Sequence, residues 1–191
     1  MKIGLFFGSF NPIHVGHTVI ANYMLEFTDL DRIWFIVSPH NPHKEKRSLL
    51  ADEHRLQMVQ QAIGDNKKMK VSNVEFSLPQ PSYTVNTLAY FKKKYPKNRF
   101  VLIIGSDNLT TFHKWKNYEK ILKNFYLYVY PRLGNNGGDL AKHPHVKIID
   151  APVIDISSTF IREAIKKKKD VRYLMPEAVS KCVKKMQFYK K

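Results

Sequence analysis

A chain of 191 residues, 43% hydrophobic and 25% charged, carries enough apolar material for one substantial core, or one core and a small subdomain, which excludes a binding peptide and a disordered chain. Eight glycines, ten prolines and the lone Cys182 exclude a collagen-like repeat and an intrachain disulfide scaffold. The 32 Lys and Arg against 16 Asp and Glu leave a formal charge of +16, which favours polyanionic partners: nucleotides, nucleic acid or an anionic membrane.

The excess charge is spread along the chain, with lysines at 92–94, 166–169, 184–185 and 190–191. That spread reads as a solvated shell that attracts anions in general, ahead of a dedicated nucleic-acid surface. The opening MKIGLFFGSF is too short in apolar residues for a signal-peptide core, and no apolar run nears the length of a membrane span. The expectation is a soluble, cytoplasmic protein of one domain over 1–191, with its oligomeric state open and a homo-oligomer among the options.

Residues 3–7 form a short apolar run that ends in a Gly-Ser turn and read as a strand. Ile20, Tyr23, Met24 and Phe27 then follow i, i+3, i+4, i+7, the stripe of an amphipathic helix. A second strand is expected at 33–37. It is followed by a weaker helical stripe of Leu56, Val59 and Ile63, with Gln60 at the i+4 place. Further strands are expected at 71–74, 100–104, 125–130 and 146–149, with a surface loop over 133–144 that holds three glycines. Beyond the last strand, Ser157 or Ser158 can cap a helix over 160–165, and a second helix opens at Pro176 with Val179, Cys182, Val183 and Met186 on its apolar face. Cys182 is thereby a packing residue. Strand alternating with helix predicts an α/β fold: a mostly parallel sheet flanked by helices, with a small helical C-terminal end over 156–191.

The strongest chemical signal is GSFNPIHVGH, residues 8–17, set between the first strand and the first helix. In an open parallel sheet, anions bind beyond the carboxyl ends of strands, where helix N-termini present amides and partial positive charge. Gly8 permits close approach of backbone to an anion. Gly16 leaves room between His14 and His17, which lie one turn apart and can face the same anion. A metal half-site is the poorer reading of the histidine pair, because no Cys, Asp or Glu stands with them at ligand spacing. The spacings of a dinucleotide fingerprint and of a P-loop are both absent.

Residues 8–17 resemble the H-x-G-H signature of the nucleotidyltransferase superfamily, and ISSTFIR, 156–162, resembles its I-S-S-T-x-I-R signature. Pro42-His43-Lys44, SYTVNTL at 82–88, Gly105-Ser106-Asp107, Trp115 and YLMPEAV at 173–179 narrow the resemblance to the bacterial nicotinate-nucleotide adenylyltransferases. The resemblance spans nearly the whole chain and implies a Rossmann-like fold. It also implies transfer of an adenylyl group from ATP to nicotinate mononucleotide, releasing pyrophosphate, in NAD biosynthesis. The substrate's 5′-phosphate is already ionised, so it attacks the α-phosphorus in line without a general base. The protein must supply position and positive charge.

By the same resemblance, His14 and His17 hold phosphates, while Lys44 and Arg162 neutralise charge on the leaving side. Gly8, Ser9, Phe10, Gly16, Ile156, Ser158 and Thr159 line the ATP site, and Mg²⁺ enters with ATP and bridges its phosphates. Asn11, Tyr83, Thr84, Asp107 and Trp115 fall to the mononucleotide, with Trp115 stacking on the pyridine and the Tyr83-Thr84 amides receiving its carboxylate. Plainer roles stay open. Lys44 can belong to a solvated loop, Ser158 and Thr84 can be simple caps, Trp115 a core residue and Asp107 part of a surface turn. Asn11 stands where many members of the family have Asp, and Tyr130-Pro131-Arg132 stands where many have Arg-Pro-Gly, which leaves the role of Arg132 undecided. Pantetheine-phosphate adenylyltransferases share both signatures but do not account for 82–88 or 173–179. A nucleic-acid-binding module lacks any supporting motif.

Overall fold

A computed structural model describes residues 1–39 and 49–190. Six strands, β1 (Lys2–Gly8), β2 (Arg32–Val37), β3 (Met69–Ser72), β4 (Arg99–Gly105), β5 (Tyr126–Tyr130) and β6 (Val146–Ile148), form one sheet in the order β3-β2-β1-β4-β5-β6. All five pairings are parallel, where the sequence predicts a mostly parallel sheet. The order reverses between β1 and β4, the position at which doubly wound sheets open a crevice at their carboxyl edge.

The inner strands read as continuous apolar runs because helices cover both faces. Within those runs a period of two divides the side chains. Phe6, Ile33, Phe35, Val37, Val101 and Ile103 enter one core, and Ile3, Leu5, Trp34, Ile36, Leu102 and Ile104 enter the other. On the first face lie α1 (Val15–Glu26), α2 (Asp52–Ile63), α7 (Ser158–Lys166) and α8 (Glu177–Lys185), anchored by Ile20, Met24, Met58, Ile161 and Val179. On the second lie α4 (Thr84–Lys94), α5 (Ser106–Thr110) and α6 (Tyr118–Asn124), anchored by Leu88, Phe91, Leu109 and Ile121. Gly4 marks how tightly β1 is clamped, since a Cβ there would stand 2.6 Å from Ile103 and 2.8 Å from Leu30.

Three local expectations shift. The strand expected to run to Val74 ends at Ser72, and Val74 opens the four-residue helix α3 (Val74–Ser77) instead. In α2 the expected Val59 is buried and Leu56 and Ile63 pack partly buried against the core, but the face also turns in Met58 and Arg55, because a fully buried arginine is invisible to an apolar pattern. In α8, Val179 and Val183 are buried and Cys182 packs beside them, but Met186 is 48% exposed at the C-cap. Ser157, not Ser158, caps α7, its hydroxyl accepting the Phe160 amide at 3.1 Å. No helix of the described residues is long and apolar enough to cross a membrane.

Candidate active site

At the carboxyl ends of β1, β2, β4 and β5 the chain forms a cleft of about 560 Å³. Its floor is the segment Gly8-Ser9-Phe10 after β1, Ser38 after β2, Gly105 at the end of β4, and Tyr130 and Arg132 at and beyond the end of β5. The first turns of α4, α5 and α7 stand around it, contributing Thr84, Asp107 and Ser158.

At one end the loop before α1 turns through Phe10, which holds a left-handed φ of 46° and drives its ring into the core. A Cβ on Gly8 would stand 2.8 Å from that ring, so Gly8 makes space for Phe10. Phe10 in turn packs edge-on against His17 at 5.1 Å. His14 is the N-cap of α1 rather than its first-turn residue, and its amide donates to His17 Nδ1 at 3.2 Å. An accepting Nδ1 places the proton of the neutral His17 ring on Nε2, which is then a donor. The two imidazoles lie 3.8 Å apart, centre to centre. His17 borders the main cleft, whereas His14 and Gly16 line a small adjoining cavity with Arg132 and Ile154. The space expected beside Gly16 is filled by the His14 ring, whose Nδ1 would stand 3.0 Å from a Cβ there.

His14 is 4% exposed, and its Nδ1 has no hydrogen-bond partner among the described residues. Burial, and next the charge of Arg132, pull its imidazole down to about 4, so it is neutral at physiological pH. Burial likewise pushes the Tyr130 phenol up to about 12, keeping that wall uncharged.

Helix α7 is bonded to the same loop. The Ser158 hydroxyl donates to the Pro12 carbonyl at 2.8 Å. Arg162 donates to the Asn11 carbonyl at 2.9 Å and to the Thr159 hydroxyl at 3.2 Å. Asn11 is 1% exposed, its Oδ1 accepting from the Leu50 amide at 3.2 Å and the Tyr189 hydroxyl at 2.9 Å, so it braces the loop from behind the cleft. Ile156 packs against the core. Of the residues expected at ATP and its phosphates, then, Gly8, Ser9, Phe10, His17 and Ser158 border the cleft, while Ile156, Thr159 and Arg162 do not; nor does Asn11, expected at the mononucleotide. Lys44, with Pro42 and His43, lies outside the described residues.

At the other end Tyr83 is the N-cap of α4 and Thr84 its first residue, so Thr84 is not the cap itself. Opposite them Trp115 follows a short 3-10 turn, Phe112–Lys114, and rests on the Phe112 ring at 5.0 Å, half-buried with its remaining surface toward the cleft. Lys116 closes the gap, its Nζ 4.2 Å above the Tyr83 ring. Asp107 sits in the first turn of α5, its Oδ1 3.9 Å from Arg132 Nε. Arg132, whose role the sequence leaves undecided, borders both cavities; its amide is held by the Ser106 hydroxyl at 2.9 Å.

Three cleft residues escape a reading of the sequence: Lys114 and Lys116, which look like ordinary surface charge beside Trp115, and Glu75, buried in α3. A fourth residue, Arg55, acts from beneath. Fully buried, it donates to the carbonyls of Ser9, Ser38, Pro39 and Leu50 and pairs with Asp52, binding the β1 loop to the end of β2. A charged residue at the i, i+3, i+4 positions shared with Met58 and Val59 is the one sequence signal that could have revealed it.

A family profile described as cytidylyltransferase-like matches residues 5–164. The chain is 55% identical over 193 residues to the probable nicotinate-nucleotide adenylyltransferase of Flavobacterium johnsoniae, covering 100% of each. It is 49% identical to that of Bacteroides fragilis, over 95% of this chain and 90% of the relative. Among solved structures, the Plasmodium falciparum nicotinic acid mononucleotide adenylyltransferase complexed with NaAD has the same fold, with a TM-score of 0.85 over 99% of this chain and 97% of that one at 21% identity. Identities this high over whole chains decide the family, and the chain belongs to the cytidylyltransferase-like proteins and, among them, to the nicotinate-nucleotide adenylyltransferases.

Proposed function

We propose that the cleft binds ATP and nicotinate mononucleotide side by side and transfers the adenylyl group to the mononucleotide, giving nicotinate adenine dinucleotide and pyrophosphate. The observation that carries this reading is the polarity of the cleft. One end presents His17, Arg132 and Ser158 beside the start of α7, and the other presents Tyr83, Trp115 and Lys116 beside the start of α4. A triphosphate suits the first end, and an aromatic ring bearing an anion suits the second. The mononucleotide's 5′-phosphate oxygen forms the new bond to the α-phosphorus as the bond to the β-phosphate oxygen breaks, and no proton need move.

His17 donates to phosphate oxygens from Nε2, and Arg132 adds a fixed positive charge at the same end. His14, neutral and buried, is a second imidazole donor and supports the first. Arg162 acts mainly by holding the 8–14 loop against α7, with Ser158 and the amides of that helix facing phosphate. Trp115 stacks on the pyridine, Thr84 and Lys116 receive its carboxylate, and Asp107 orients Arg132. The donor set at the phosphate end is one of imidazoles, hydroxyls, amides and guanidinium, with Asp107 as the carboxylate at hand. Such a set fits a Mg²⁺ that would be held chiefly by the ATP phosphates with Asp107 the nearest protein carboxylate, and that would supply positive charge to the leaving group. Incubating the purified protein with ATP, Mg²⁺ and nicotinate mononucleotide, and identifying products by mass spectrometry, tests the reading. The dinucleotide and one equivalent of pyrophosphate are expected, and their absence would refute it.

A further inference from the structure

Beneath the mononucleotide end lies a carboxyl group that the reaction as described does not use. Glu75 is 1% exposed yet borders the cleft beside Ser82, Tyr83 and Thr84. Its Oε1 accepts the hydroxyl of Thr87 at 2.7 Å. Thr87, also 1% exposed, lies one turn beyond Thr84 on the same side of α4. The backbone is tied in parallel: Gln80 Nε2 donates to the Glu75 carbonyl at 2.8 Å, and the Ser82 hydroxyl donates to Gln80 Oε1 at 3.1 Å. Those two bonds run through the Glu75 backbone, and it is through Thr87 that the carboxyl itself holds α4.

The carboxyl is buried and, besides Thr87, is acted on by the Ser38 hydroxyl. An ionised carboxylate taken largely out of water is a costly state. Burial accordingly holds the Glu75 carboxyl above the usual carboxylate range, the hydroxyls of Thr87 and Ser38 drawing it part of the way back. On the reading above, the substrate's own carboxylate rests at the first turn of α4, and a negative charge one turn below would repel it.

Resting on that reading, we infer that Glu75 is a positioning residue for nicotinate mononucleotide, fixing the start of α4 as a hydrogen-bond acceptor for Thr87 rather than through its charge. Steady-state kinetics of Glu75→Gln, Glu75→Ala and Thr87→Val, with each substrate varied in turn and folding checked by circular dichroism, test this. Glu75→Gln keeps the acceptor and the shape, so its KM for the mononucleotide stays within about threefold of wild type. Glu75→Ala and Thr87→Val raise that KM by about tenfold or more while KM for ATP stays within about twofold. Equal changes for both substrates, or none, would overturn the inference. So would a Gln variant as impaired as the Ala variant, which would assign the role to negative charge. Should Glu75→Ala not fold, the Gln and Val variants decide by the same constants. A wild-type protein that makes no dinucleotide removes the proposed function itself. Active wild type with kinetically unaltered Glu75→Ala and Thr87→Val removes only the role of Glu75.

Discussion

His17 is held by the His14 amide on one side and by the Phe10 ring on another, so its imidazole keeps one orientation without help from substrate. Preorganised donors of this kind stabilise charge developing in a transition state. His17→Ala is therefore expected to lower kcat by about a hundredfold or more while the fold persists. A folded variant with near wild-type kcat would return His17 to a packing role. His14 has a different signature, in stability. Its folded imidazole titrates near 4 against 6.5 for the unfolded chain, so the unfolded state binds more protons between those values. The contribution is fully present above about pH 6.5 and is lost as pH falls toward 4, reaching roughly 3 kcal/mol. Urea unfolding at pH 7.5 and pH 4.5 should show wild type losing more stability than His14→Asn, and equal losses would contradict the burial argument. At this scale the sequence shows which residues gather but misjudges how. Gly8 and Gly16 read as openings for a nucleotide, yet their missing side chains make space for Phe10 and His14, long-range packing that no local pattern encodes.

Elements were more legible than residues. The inner strands β1, β2, β4 and β5 are visible as runs of branched and aromatic residues because burial on both faces leaves few polar positions to interrupt them, whereas the edge strands β3 and β6 are only partly buried and carry Lys70, Ser72 and Lys147. The end of β3 was not visible, since Asn73 and the short α3 divert the chain before the apolar run is spent. Equally hidden was the way the loops are tied. Arg55, buried on α2, satisfies four carbonyls from segments up to 46 residues away and pairs with Asp52. Replacing it with Met fills similar volume but strands those carbonyls, so Arg55→Met is expected to cost about 3 kcal/mol in denaturant unfolding. Lysine should rescue little, because one ammonium cannot reproduce the fork of a guanidinium. A loss below roughly 1 kcal/mol would show that the loop ends are held by other contacts.

Across the whole molecule, the charge of +16 and the cleft are separate features. Cations recur along the chain, whereas the reacting groups converge at one sheet edge. Turnover should accordingly keep most of its rate at about 0.2 M salt, because a partly enclosed site is screened less than an exposed surface. A rate falling as steeply as phosphate-backbone binding does over that range would tie the reaction to the surface charge instead. The fold and the position of the cleft are legible in the sequence because both signature segments lead into helices at the carboxyl edge of the sheet, where parallel-sheet topology confines ligand sites. The pairing of Tyr83 with Lys116, and the burial of Glu75 beneath them, depend on how α4 meets the turn before Trp115 and have no local signature. That end also carries the central claim, since amide donors and a lysine there stabilise a carboxylate more than a carboxamide, whose NH₂ would face donors. The most direct measurement is kcat/KM for nicotinate against nicotinamide mononucleotide at saturating ATP and Mg²⁺. The acid is expected to be preferred by about a hundredfold, close to 3 kcal/mol, and equal turnover of the two would contradict the account.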